Sequence, residues 1–432
     1  MAGKRVLVVG AGFGGLYAAM QLRPAVDAGH RVTVVNPENF MKYQPFLPEV
    51  ASGTIDPRAV AVPLRRVLRH CEVVIGEVER LDHDGREAHV RRSDGRADVL
   101  PYDVVVLAPG SRARVLPIPG LADHGVGFKT VQEAIWLRNR VLSQLDVAAG
   151  TQDPERRRAA LTFVFVGGGY AGVEALGELE DLARAASKSF PGMGMSQMRW
   201  VLVEAAGKIL PELGEDLADY ALERLRERRI EVLLETRLDA IEDGVVRLSD
   251  GQAFAADTVV WTAGVKPSPL AAESGFPVDE AGRVRVDAAL RVEGVPDAWA
   301  AGDAAAVPDR LTGGIMPPTA QHGMRQGKRL GRNVLAELEG RAPEPFVYRN
   351  IGGVCSLGRY KGVALIWGLR LRGFPAWFAH RTYHLYAMPT LTRKVKIAAD
   401  WTVALLFPRD LAQLGSLEHP LDPFRRAAGG EP

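Results

Sequence analysis

The stretch that decides the fold is Arg5-Val-Leu-Val-Val-Gly10-Ala-Gly12-Phe-Gly-Gly15. Residues 5–9 are mostly apolar and β-branched, which is typical of a parallel strand buried on both faces. Glycines follow at once, and the sequence after them predicts a helix over Leu16 to Leu22 and a second strand over His30 to Val35. This order of strand, glycine-rich turn, helix and strand is the context in which a G-x-G-x-x-G motif predicts a dinucleotide site.

Each glycine of the motif has a physical reason. Gly10 permits the tight turn, Gly12 lets a pyrophosphate approach the backbone, and Gly15 lets the helix pack against the strand. The N-terminus of the helix then faces the anionic phosphates. The second strand is followed by Asn36, where a ribose-binding Asp or Glu is usual, with Glu38 two residues further on.

The same pattern occurs a second time. A strand over Leu161 to Val166 leads into Gly167-Gly-Gly169-Tyr-Ala-Gly172-Val-Glu174, which opens a helix predicted to end near Ala186. The next strand, Trp200 to Val203, is followed by Glu204. A carboxylate there accepts a hydrogen bond from the 2′-hydroxyl of NADH and repels the 2′-phosphate of NADPH. Two complete glycine motifs predict two bound dinucleotides, and the alternative is a duplicated fold with one inactive site.

Three further strands end in small residues. They cover Asp103 to Gly110, Asp257 to Gly264 and Ala298 to Ala304. Asp303 in the last of them is placed to accept hydrogen bonds from a polyol, or alternatively to cap a helix N-terminus.

The composition excludes several classes of protein. The 432 residues contain 54 Lys and Arg against 52 Asp and Glu, so no overall charge favours nucleic acid. Cys71 and Cys355 are the only cysteines, too few for a disulfide scaffold, a zinc ribbon or a cysteine-ligated iron–sulfur cluster. We predict no metal site, and no uncharged apolar run approaches the roughly 20 residues of a membrane-spanning helix. Because the chain has only two cysteines and no predicted metal site, any electron chemistry must use a bound cofactor.

The segment from Ile351 to Arg409 differs from the rest of the chain. It carries nine Lys or Arg and one acid, Asp400, and it holds three of the seven tryptophans. Ile397, Trp401, Ala404 and Leu405 are predicted to share one helix face. A preceding helix is predicted to begin near Pro375 and to end near Met388, before Pro389. A basic, aromatic, amphipathic pair of helices indicates an interfacial membrane anchor; the alternative is a packing domain or a dimer interface.

Together these residues resemble the type II NADH dehydrogenases, which are single-subunit NADH:quinone oxidoreductases with two dinucleotide-binding domains. On the FAD side the resemblance rests on the first glycine motif, on Leu107-Ala-Pro-Gly-Ser111, on the segment from Gln44 to Gly53 and on Gly302-Asp303. The FAD-binding residues it implies are Gly10, Gly12, Phe13, Gly14, Gly15, Asn36, Pro45, Gly110, Asp303 and Ala320.

The NADH and quinone sides of the resemblance rest on two other stretches. Val166 to Glu174 is similar to the NADH motif of the family, and Ala320-Gln-His-Gly-Met-Arg-Gln326 is similar to its Ala-Gln-x-Ala-x-Gln stretch beside the quinone. In the second stretch Gln321 is retained, Gly323 replaces the second Ala, Arg325 stands at the second Gln position and Gln326 comes one residue late. The NADH-binding residues that the resemblance implies are Gly167, Gly169, Tyr170, Gly172, Glu204, Ala263 and Gly264.

The resemblance implies hydride transfer from NADH to FAD and then transfer of two electrons to a quinone, either menaquinone or ubiquinone. It gives catalytic roles to Gln321 and to Glu174, which is expected in the first helical turn, where the helix dipole would stabilise its charge. Glu174 is expected to orient the substrates or to relay a proton; the alternative is a carboxylate at a helix start with no chemical role.

We therefore predict an α/β protein with two Rossmann-like dinucleotide-binding domains, for FAD and NADH, and a C-terminal membrane-associating segment. The expected boundaries are 1–115 and 287–350 for the FAD domain, 116–286 for the inserted NADH domain and 351–432 for the C-terminal segment, with Arg426 to Pro432 disordered. The resemblance also implies a homodimer, bound peripherally to an anionic membrane surface on the cytoplasmic face of the cell membrane, with no nucleic-acid partner.

Three other functions remain open from the sequence. Sulfide:quinone oxidoreductases share the two folds but need paired cysteines near the flavin, and we expect Cys71 to be buried. Soluble NAD(P)H-dependent flavoprotein reductases of protein electron carriers also share the folds, but they usually lack a basic aromatic tail. The third alternative is an NADH-sensing flavoprotein without turnover.

Overall fold

The structure is a computed structural model, and it describes residues 3–413. The predicted disorder of Arg426 to Pro432 lies outside the described residues. In chain order the strands are β1 (Arg5–Val9), β2 (Arg31–Asn36), β3 (Phe40–Lys42), β4 (Ala61–Pro63), β5 (Glu72–Asp82), β6 (Glu87–Arg92), β7 (Ala97–Pro101), β8 (Val104–Leu107), β9 (Ser111–Ala113), β10 (Gly125–Gly127), β11 (Thr162–Val166), β12 (Arg199–Val203), β13 (Ile230–Leu233), β14 (Leu238–Glu242), β15 (Val245–Leu248), β16 (Ala253–Ala255), β17 (Thr258–Trp261), β18 (Val265–Pro267), β19 (Val284–Arg285), β20 (Ala298–Ala300), β21 (Ala305–Ala306), β22 (Gly352–Ser356), β23 (Gly362–Ile366) and β24 (Leu369–Arg372). The helices are α1 (Phe13–Gln21), α2 (Arg23–Asp27), α3 (Leu47–Ala51), α4 (Leu64–Val67), α5 (Leu121–His124), α6 (Val131–Gly150), α7 (Pro154–Ala160), α8 (Tyr170–Ala186), α9 (Glu215–Glu227), α10 (Leu270–Glu273), α11 (Ala320–Leu338), α12 (Phe374–Ala387) and α13 (Leu391–Leu406).

The first sheet has the strand order β20-β8-β1-β2-β5-β6-β7. Its first five strands run parallel, and β6 and β7 add an antiparallel extension to the far end of β5. Val9 at the end of β1 pairs with Val35 on one side and with Leu107 on the other, and Leu107 pairs with Ala300. This register brings the carboxyl ends of four strands to one edge of the sheet.

The second sheet is built on the same plan. Its order is β10-β17-β11-β12-β13, and every pairing in it is parallel. Val166 at the end of β11 pairs with Val203 and with Trp261, so the ends of three strands again lie level. The predicted α/β class with two Rossmann-like folds is confirmed.

The second sheet interrupts the first along the chain. Its strands fall between residues 125 and 261, whereas β20 at 298–300 returns to the edge of the first sheet beside β8. A short antiparallel ribbon of β9 and β18 connects the two folds, with Ser111 opposite Pro267. This order agrees with the discontinuous first domain that we predict, and the exact domain boundaries stay a prediction.

Helices α1 and α11 are in unusually close contact because of glycines. A Cβ atom on Gly327 would lie 2.2 Å from the carbonyl oxygen of Gly14, and one on Gly331 would lie 2.4 Å from that of Ala18. The two helix backbones therefore touch where α1 leaves the first glycine motif. This contact fixes the start of α11, which carries Gln321, against the first fold.

The C-terminal segment forms the three-stranded antiparallel sheet β22-β23-β24 and the helices α12 and α13. Helix α12 has Pro375 in its first turn and ends one residue before Met388, as predicted. Of the residues predicted to share one face of α13, Ile397 is fully buried and Leu405 is exposed. Eight residues of α-helix turn about 80° beyond the starting direction, which carries Leu405 off the buried face.

The contact of α1 with α11 gives a stability prediction. Gly327→Ala should lower the free energy of unfolding by about 1–3 kcal/mol, because the added methyl group forces the two backbones apart. Gly150→Ala is the matched control, since a Cβ there meets nothing within 4 Å and should be neutral or slightly stabilising. Denaturant unfolding of both variants measures this difference, and equal stabilities would contradict the close contact.

Candidate active site

The first glycine motif forms a loop that only glycine can complete. Gly10 has φ +87°, and a Cβ on it would lie 2.3 Å from the carbonyl oxygen of Ala108. A Cβ on Gly15 would lie 1.8 Å from the carbonyl oxygen of Gly10, so the helix passes directly over the loop. The turn and the close packing expected of these two positions are therefore present.

The same loop leaves an open cradle at the start of α1. Gly12 is exposed, a Cβ on it would meet nothing within 4 Å, and among the described residues no side chain caps the helix at that point. Phe13 and Gly14 continue the first turn, whose N–H groups have no partner within the helix. The geometry suits a pyrophosphate, so these residues fit the dinucleotide that the motif predicts.

Asn36 holds the loop from the neighbouring strand. Its Oδ1 accepts a hydrogen bond from the backbone N–H of Ala11 at 2.8 Å, and its Nδ2 donates to the carbonyl oxygen of Glu38 at 2.8 Å. The predicted ribose-binding residue therefore lies in contact with the glycine loop.

The other predicted FAD residues come from neighbouring elements. Gly110 follows β8 with φ +74° and open space around it, and Asp303 lies in the turn Gly302–Ala304 after β20. Asp303 accepts a hydrogen bond from the Ser111 hydroxyl at 2.5 Å and does not cap an α-helix. Pro45 is half-buried in the turn Gln44–Phe46, and Ala320 is the first residue of α11.

The second glycine motif repeats this geometry. Gly167 has φ +114°, and a Cβ on Gly172 would lie 2.0 Å from the carbonyl oxygen of Gly167. Gly169 is exposed, a Cβ on it would meet nothing within 4 Å, and no side chain of the described residues caps α8 there. Glu204 accepts hydrogen bonds from the N–H groups of Gly168 at 2.5 Å and Ala206 at 2.7 Å.

Glu204 and Asn36 therefore do the same structural work in the two folds. Asn36 is the last residue of β2 and Glu204 comes directly after β12, and each accepts from the middle residue of its glycine loop. Ala263 and Gly264 lie beyond β17, at the same edge as Gly167, and Gly264 has φ +92°. The predicted NADH-binding residues are thus brought to one edge of the second sheet.

Tyr170 is the first residue of α8, and it faces the C-terminal segment. A Cβ on Gly353 would lie 2.2 Å from the Tyr170 hydroxyl, so only glycine fits beside that ring. Burial raises the pKa of the Tyr170 hydroxyl well above its usual value, which keeps this group neutral.

Glu174 does not lie in the first helical turn, and that expectation is wrong. Helix α8 begins at Tyr170, so Glu174 is its fifth residue, beyond the turn in which the dipole acts. The carboxylate is 7% exposed, and Oε1 accepts from the backbone N–H of Ser356 at 2.9 Å. Nε2 of His380 lies 3.0 Å from the same oxygen, so the charge of Glu174 is balanced by the C-terminal segment.

Gln321 reaches the other end of the same strand. Its Nε2 donates to the carbonyl oxygen of Gly352 at 3.1 Å and to Oδ1 of Asn350 at 3.2 Å. Strand β22 therefore connects Gln321, at its first residue, with Glu174, at its last. The length of this strand places the two contacts about 13 Å apart.

The two residues that differ from the family stretch have separate positions. Gln326 is buried, and its Oε1 accepts from the N–H of Gly302 at 2.8 Å, next to Asp303. The guanidinium of Arg325 lies over the ring of Tyr348, 4.4 Å from its centre. Gln326 thus belongs to the first fold's strand edge, and Arg325 faces the same side as Gln321.

A row of aromatic rings that the sequence did not indicate connects the first glycine motif with Glu174. The ring centres are 5.5 Å apart for Phe13 and Tyr43, and 4.6 Å apart for His384 and His380. The Tyr43 hydroxyl lies 3.2 Å from Nδ1 of His384. The spacing of the two histidines, four residues apart in a predicted helix, could have indicated that they share a face.

A second missed group anchors the C-terminal helices. Glu49 is 2% exposed, and both of its oxygens accept from the Arg381 guanidinium, at 3.2 and 3.0 Å. The indole N–H of Trp401 donates to the same carboxylate at 2.6 Å. Helices α12 and α13 are thus tied to α3 through one buried carboxylate, since a buried charge needs such partners.

The two cysteines do not offer a reactive pair. Both thiols are free; Cys71 is half-buried just before β5, and Cys355 is buried in β22. Burial raises the pKa of the Cys71 thiol to about 12 and that of Cys355 well above its usual value. Such thiols are poor nucleophiles, which disfavours sulfide chemistry.

Comparison with known proteins places this geometry in a family. Residues 4–327 match the model of the pyridine nucleotide-disulphide oxidoreductases. The chain is 33% identical over 421 residues to the type II NADH:quinone oxidoreductase Ndh of Mycobacterium tuberculosis, covering 94% of this chain and 89% of that protein. It is 30% identical over 381 residues to the type II NADH:quinone oxidoreductase of Staphylococcus aureus, covering 87% and 92%. The chain belongs to the type II NADH:quinone oxidoreductases.

The fold agrees with that assignment. The structure of NDH2 from Plasmodium falciparum in complex with NADH superposes with a TM-score of 0.87 at 17% identity, over 95% of this chain and 99% of that one. The resemblance identified in the sequence is confirmed, and so are FAD and NADH as cofactors, a quinone as substrate and an oxidoreductase that does not pump protons.

The pair of Glu174 and His380 gives a titration prediction. Burial disfavours a charged ring at His380, but the carboxylate of Glu174 outweighs it and raises the pKa of His380 above its usual value. Glu174→Gln should lower that pKa, while burial keeps the pKa of His384 well below its usual value in both proteins. Histidine ring NMR signals followed against pH measure both groups.

The sign of the stability effect follows from the direction of this shift. Because the folded pKa of His380 is raised, the stabilisation by the pair is complete below about pH 6.5 and is lost as the pH rises through the folded value. Glu215→Gln, an exposed position on α9, is the control. A His380 titration unchanged by Glu174→Gln would contradict the ion pair.

Proposed function

We propose that the chain binds FAD at the carboxyl edge of the first sheet and NADH at the corresponding edge of the second. Glu174 and Gln321, at the two ends of β22, would flank the place where nucleotide and quinone are used. When bound, FAD supplies the group that takes a hydride from NADH and passes two electrons to the quinone. The two cradles at Gly12 and Gly169 support this proposal.

The observation that carries the proposal is the position of β22 between the two predicted catalytic residues. Glu174 accepts from Ser356 and is paired with His380, whereas Gln321 donates to Gly352. One strand thus fixes both side chains relative to the first and second folds. We assign Gln321 to the quinone side, as its amide N–H can donate to a quinone carbonyl oxygen and its amide oxygen can accept from a quinol hydroxyl.

Glu174 is assigned an orienting role that includes holding a proton. Reduction of a quinone to a quinol consumes two protons, and the hydride of NADH accounts for only one hydrogen. Glu174 and His380 form a buried ion pair that can keep a proton away from bulk water, and neither ring nitrogen of His380 has a partner with hydrogen-bond geometry within residues 3–413. The pair is therefore suited to hold the second proton near the site.

Glu204 determines the choice of nucleotide in this proposal. Glu204→Gln keeps an oxygen that can accept from Gly168 but removes the charge that repels a 2′-phosphate. The ratio of kcat/KM for NADPH to that for NADH should therefore rise at least about tenfold, or 1.4 kcal/mol. Anaerobic reduction of the bound flavin by each nucleotide, followed by addition of a quinone, measures both half-reactions.

Asn36→Asp is the matched control because it changes charge at the equivalent position of the first fold. It should leave the nucleotide ratio unchanged. Equal rates with NADH and NADPH in the unaltered protein would overturn the role of Glu204. A flavin that NADH reduces but that no quinone reoxidises would overturn the proposed arrangement of the site.

The C-terminal segment is proposed to bind an anionic membrane surface, on the cytoplasmic face of the cell membrane. Eleven of the twenty exposed large hydrophobic side chains in residues 3–413 fall between Trp367 and Phe407. Trp367 at a hairpin tip is 81% exposed, and Tyr386 at the end of α12 is 79% exposed. Arg393 and Lys394 lie beside this apolar surface, and each basic group near an anionic surface contributes about 1 kcal/mol.

The surface is suited to lie in the membrane interface. Helix α13 exposes Leu391 and Val395 one turn apart, and Leu406 and Phe407 are exposed at its far end. In residues 3–413 no helix has both the length and the hydrophobicity needed to cross a bilayer. The exposed apolar groups therefore support attachment of the interfacial kind.

Replacing two of these side chains should weaken attachment. Leu391→Ser with Val395→Ser should reduce partitioning onto phosphatidylcholine vesicles containing phosphatidylglycerol at least about tenfold, because apolar area no longer enters the interface. Leu311→Ser, which changes an exposed leucine outside the segment, should have no effect. Vesicle co-sedimentation measures both variants.

The resemblance also supports a homodimer, which would cover part of the same apolar surface. Light scattering of the protein without lipid gives its mass. If the double variant loses dimer mass but keeps its vesicle affinity, the exposed face of α13 binds a second copy and not lipid.

A further inference from the structure

A chain of three polar side chains joins the two folds beside the FAD cradle. Nζ of Lys129 donates to the Ser111 hydroxyl at 2.5 Å, and that hydroxyl donates to Oδ2 of Asp303 at 2.5 Å. Asp303 follows β20 of the first sheet, and Ser111 begins the ribbon strand β9. Lys129 belongs to the second fold, between β10 and α6, so it reaches across from the NADH side.

The backbone around Lys129 is fixed by a capping box. Oε2 of Glu133 accepts from the N–H groups of Lys129 at 2.6 Å and Thr130 at 2.7 Å, and Oγ1 of Thr130 accepts from the N–H of Glu133 at 3.1 Å. The start of α6 is thereby rigid. Lys129 is held at the inter-fold cleft, and its side chain is half-buried there.

The local charge depends on this lysine. The charged groups that interact with Lys129 are Asp303, Lys42 and Glu133, and Lys42 in turn interacts with Glu38. Two lysines therefore balance three carboxylates, and without Lys129 one lysine would remain. Burial lowers the pKa of both lysines, while the nearby carboxylates oppose that change.

We propose that Lys129 is a positioning residue for FAD, acting through Ser111 on Asp303, so that the NADH-binding fold controls both the affinity and the midpoint potential of the cofactor. The inference rests on the proposed FAD site at the edge of the first sheet. A positive charge at this edge stabilises the reduced cofactor, which carries more negative charge, relative to the oxidised one. The hydrogen bonds hold the Asp303 carboxylate in one orientation toward the polyol that it is proposed to bind.

In this proposal the two folds are linked by a fixed side-chain contact, and no change of conformation is required. Lys129 is covalently part of the segment that leads from β10 into α6, and β10 lies beside β17 of the second sheet. The side chain that completes the FAD site therefore comes from the fold proposed to hold NADH. The two cofactor sites are not independent modules in this arrangement.

Lys129→Gln tests the proposal in the full-length protein. Its bound FAD should have a midpoint potential lower by at least the equivalent of a tenfold change in relative affinity, about 30 mV for a two-electron couple. The FAD Kd of the cofactor-stripped protein should rise at least about tenfold. Lys129→Arg keeps the charge and should restore most of the potential.

Two further variants distinguish the effect of the Lys129 charge from a general loss of structure. Lys266→Gln removes an exposed lysine from the other strand of the connecting ribbon and should change neither quantity. Ser111→Ala keeps the charge of Lys129 but breaks the relay, so it should weaken FAD binding with a smaller change in potential. Circular dichroism and thermal unfolding establish that each variant is folded.

The outcomes also distinguish this inference from the proposed function. If unaltered protein binds no FAD, the proposed site itself fails. If the unaltered protein binds FAD and is reduced by NADH, but Lys129→Gln leaves both the midpoint potential and the FAD Kd unchanged, only the role of Lys129 is overturned.

Discussion

Strand β1 is the constraint on which the candidate site depends. It pairs in parallel with β2 on one side and β8 on the other, and β8 carries β20. The register holds Val9, Leu107 and Ala300 level. The groups that follow these strand ends therefore lie together at one edge of the sheet: the glycine loop, Gly110 and Asp303. A shift of one residue in any of these pairings would turn side chains to the opposite face of the sheet and separate these groups. The second sheet applies the same rule to Gly167, Glu204 and Gly264.

The C-terminal segment depends on buried charge. Glu49 receives Arg381 and Trp401, and Glu174 receives His380, so α12 contributes one partner to each of two buried carboxylates. Removing one partner of such a pair leaves an uncompensated charge in the interior, which typically costs about 3–5 kcal/mol. The segment that carries the exposed apolar surface is thus fixed to both folds by specific contacts, and hydrophobic packing alone would not define its orientation.

Much of this architecture could be predicted from the sequence, because glycine motifs and runs of Val and Leu report local requirements of the backbone. The helix after the first motif begins at Phe13 and not at Leu16, since glycines of low helical propensity form its first turn. Glycines also stand at the start of α8, so its first residue, Tyr170, was not evident from the sequence. Glu174 was for that reason expected one turn too early in the helix. The contacts of Glu174 with Ser356 and His380 could not be predicted, because they join residues about 180 or more positions apart and no local pattern specifies them. Leu405 lies about 80° round the helix from Ile397 and is exposed although Ile397 is buried, because periodicity groups residues on one face but does not specify which part of that face is covered.

Asn36 shows what an amide contributes at this position. It can accept from the N–H of Ala11 and donate to the carbonyl oxygen of Glu38 at once, whereas a carboxylate in its place could only accept. One uncharged side chain thus joins the glycine loop to the segment that follows β2. Because an amide does not titrate, this connection is the same in acid and in alkaline solution.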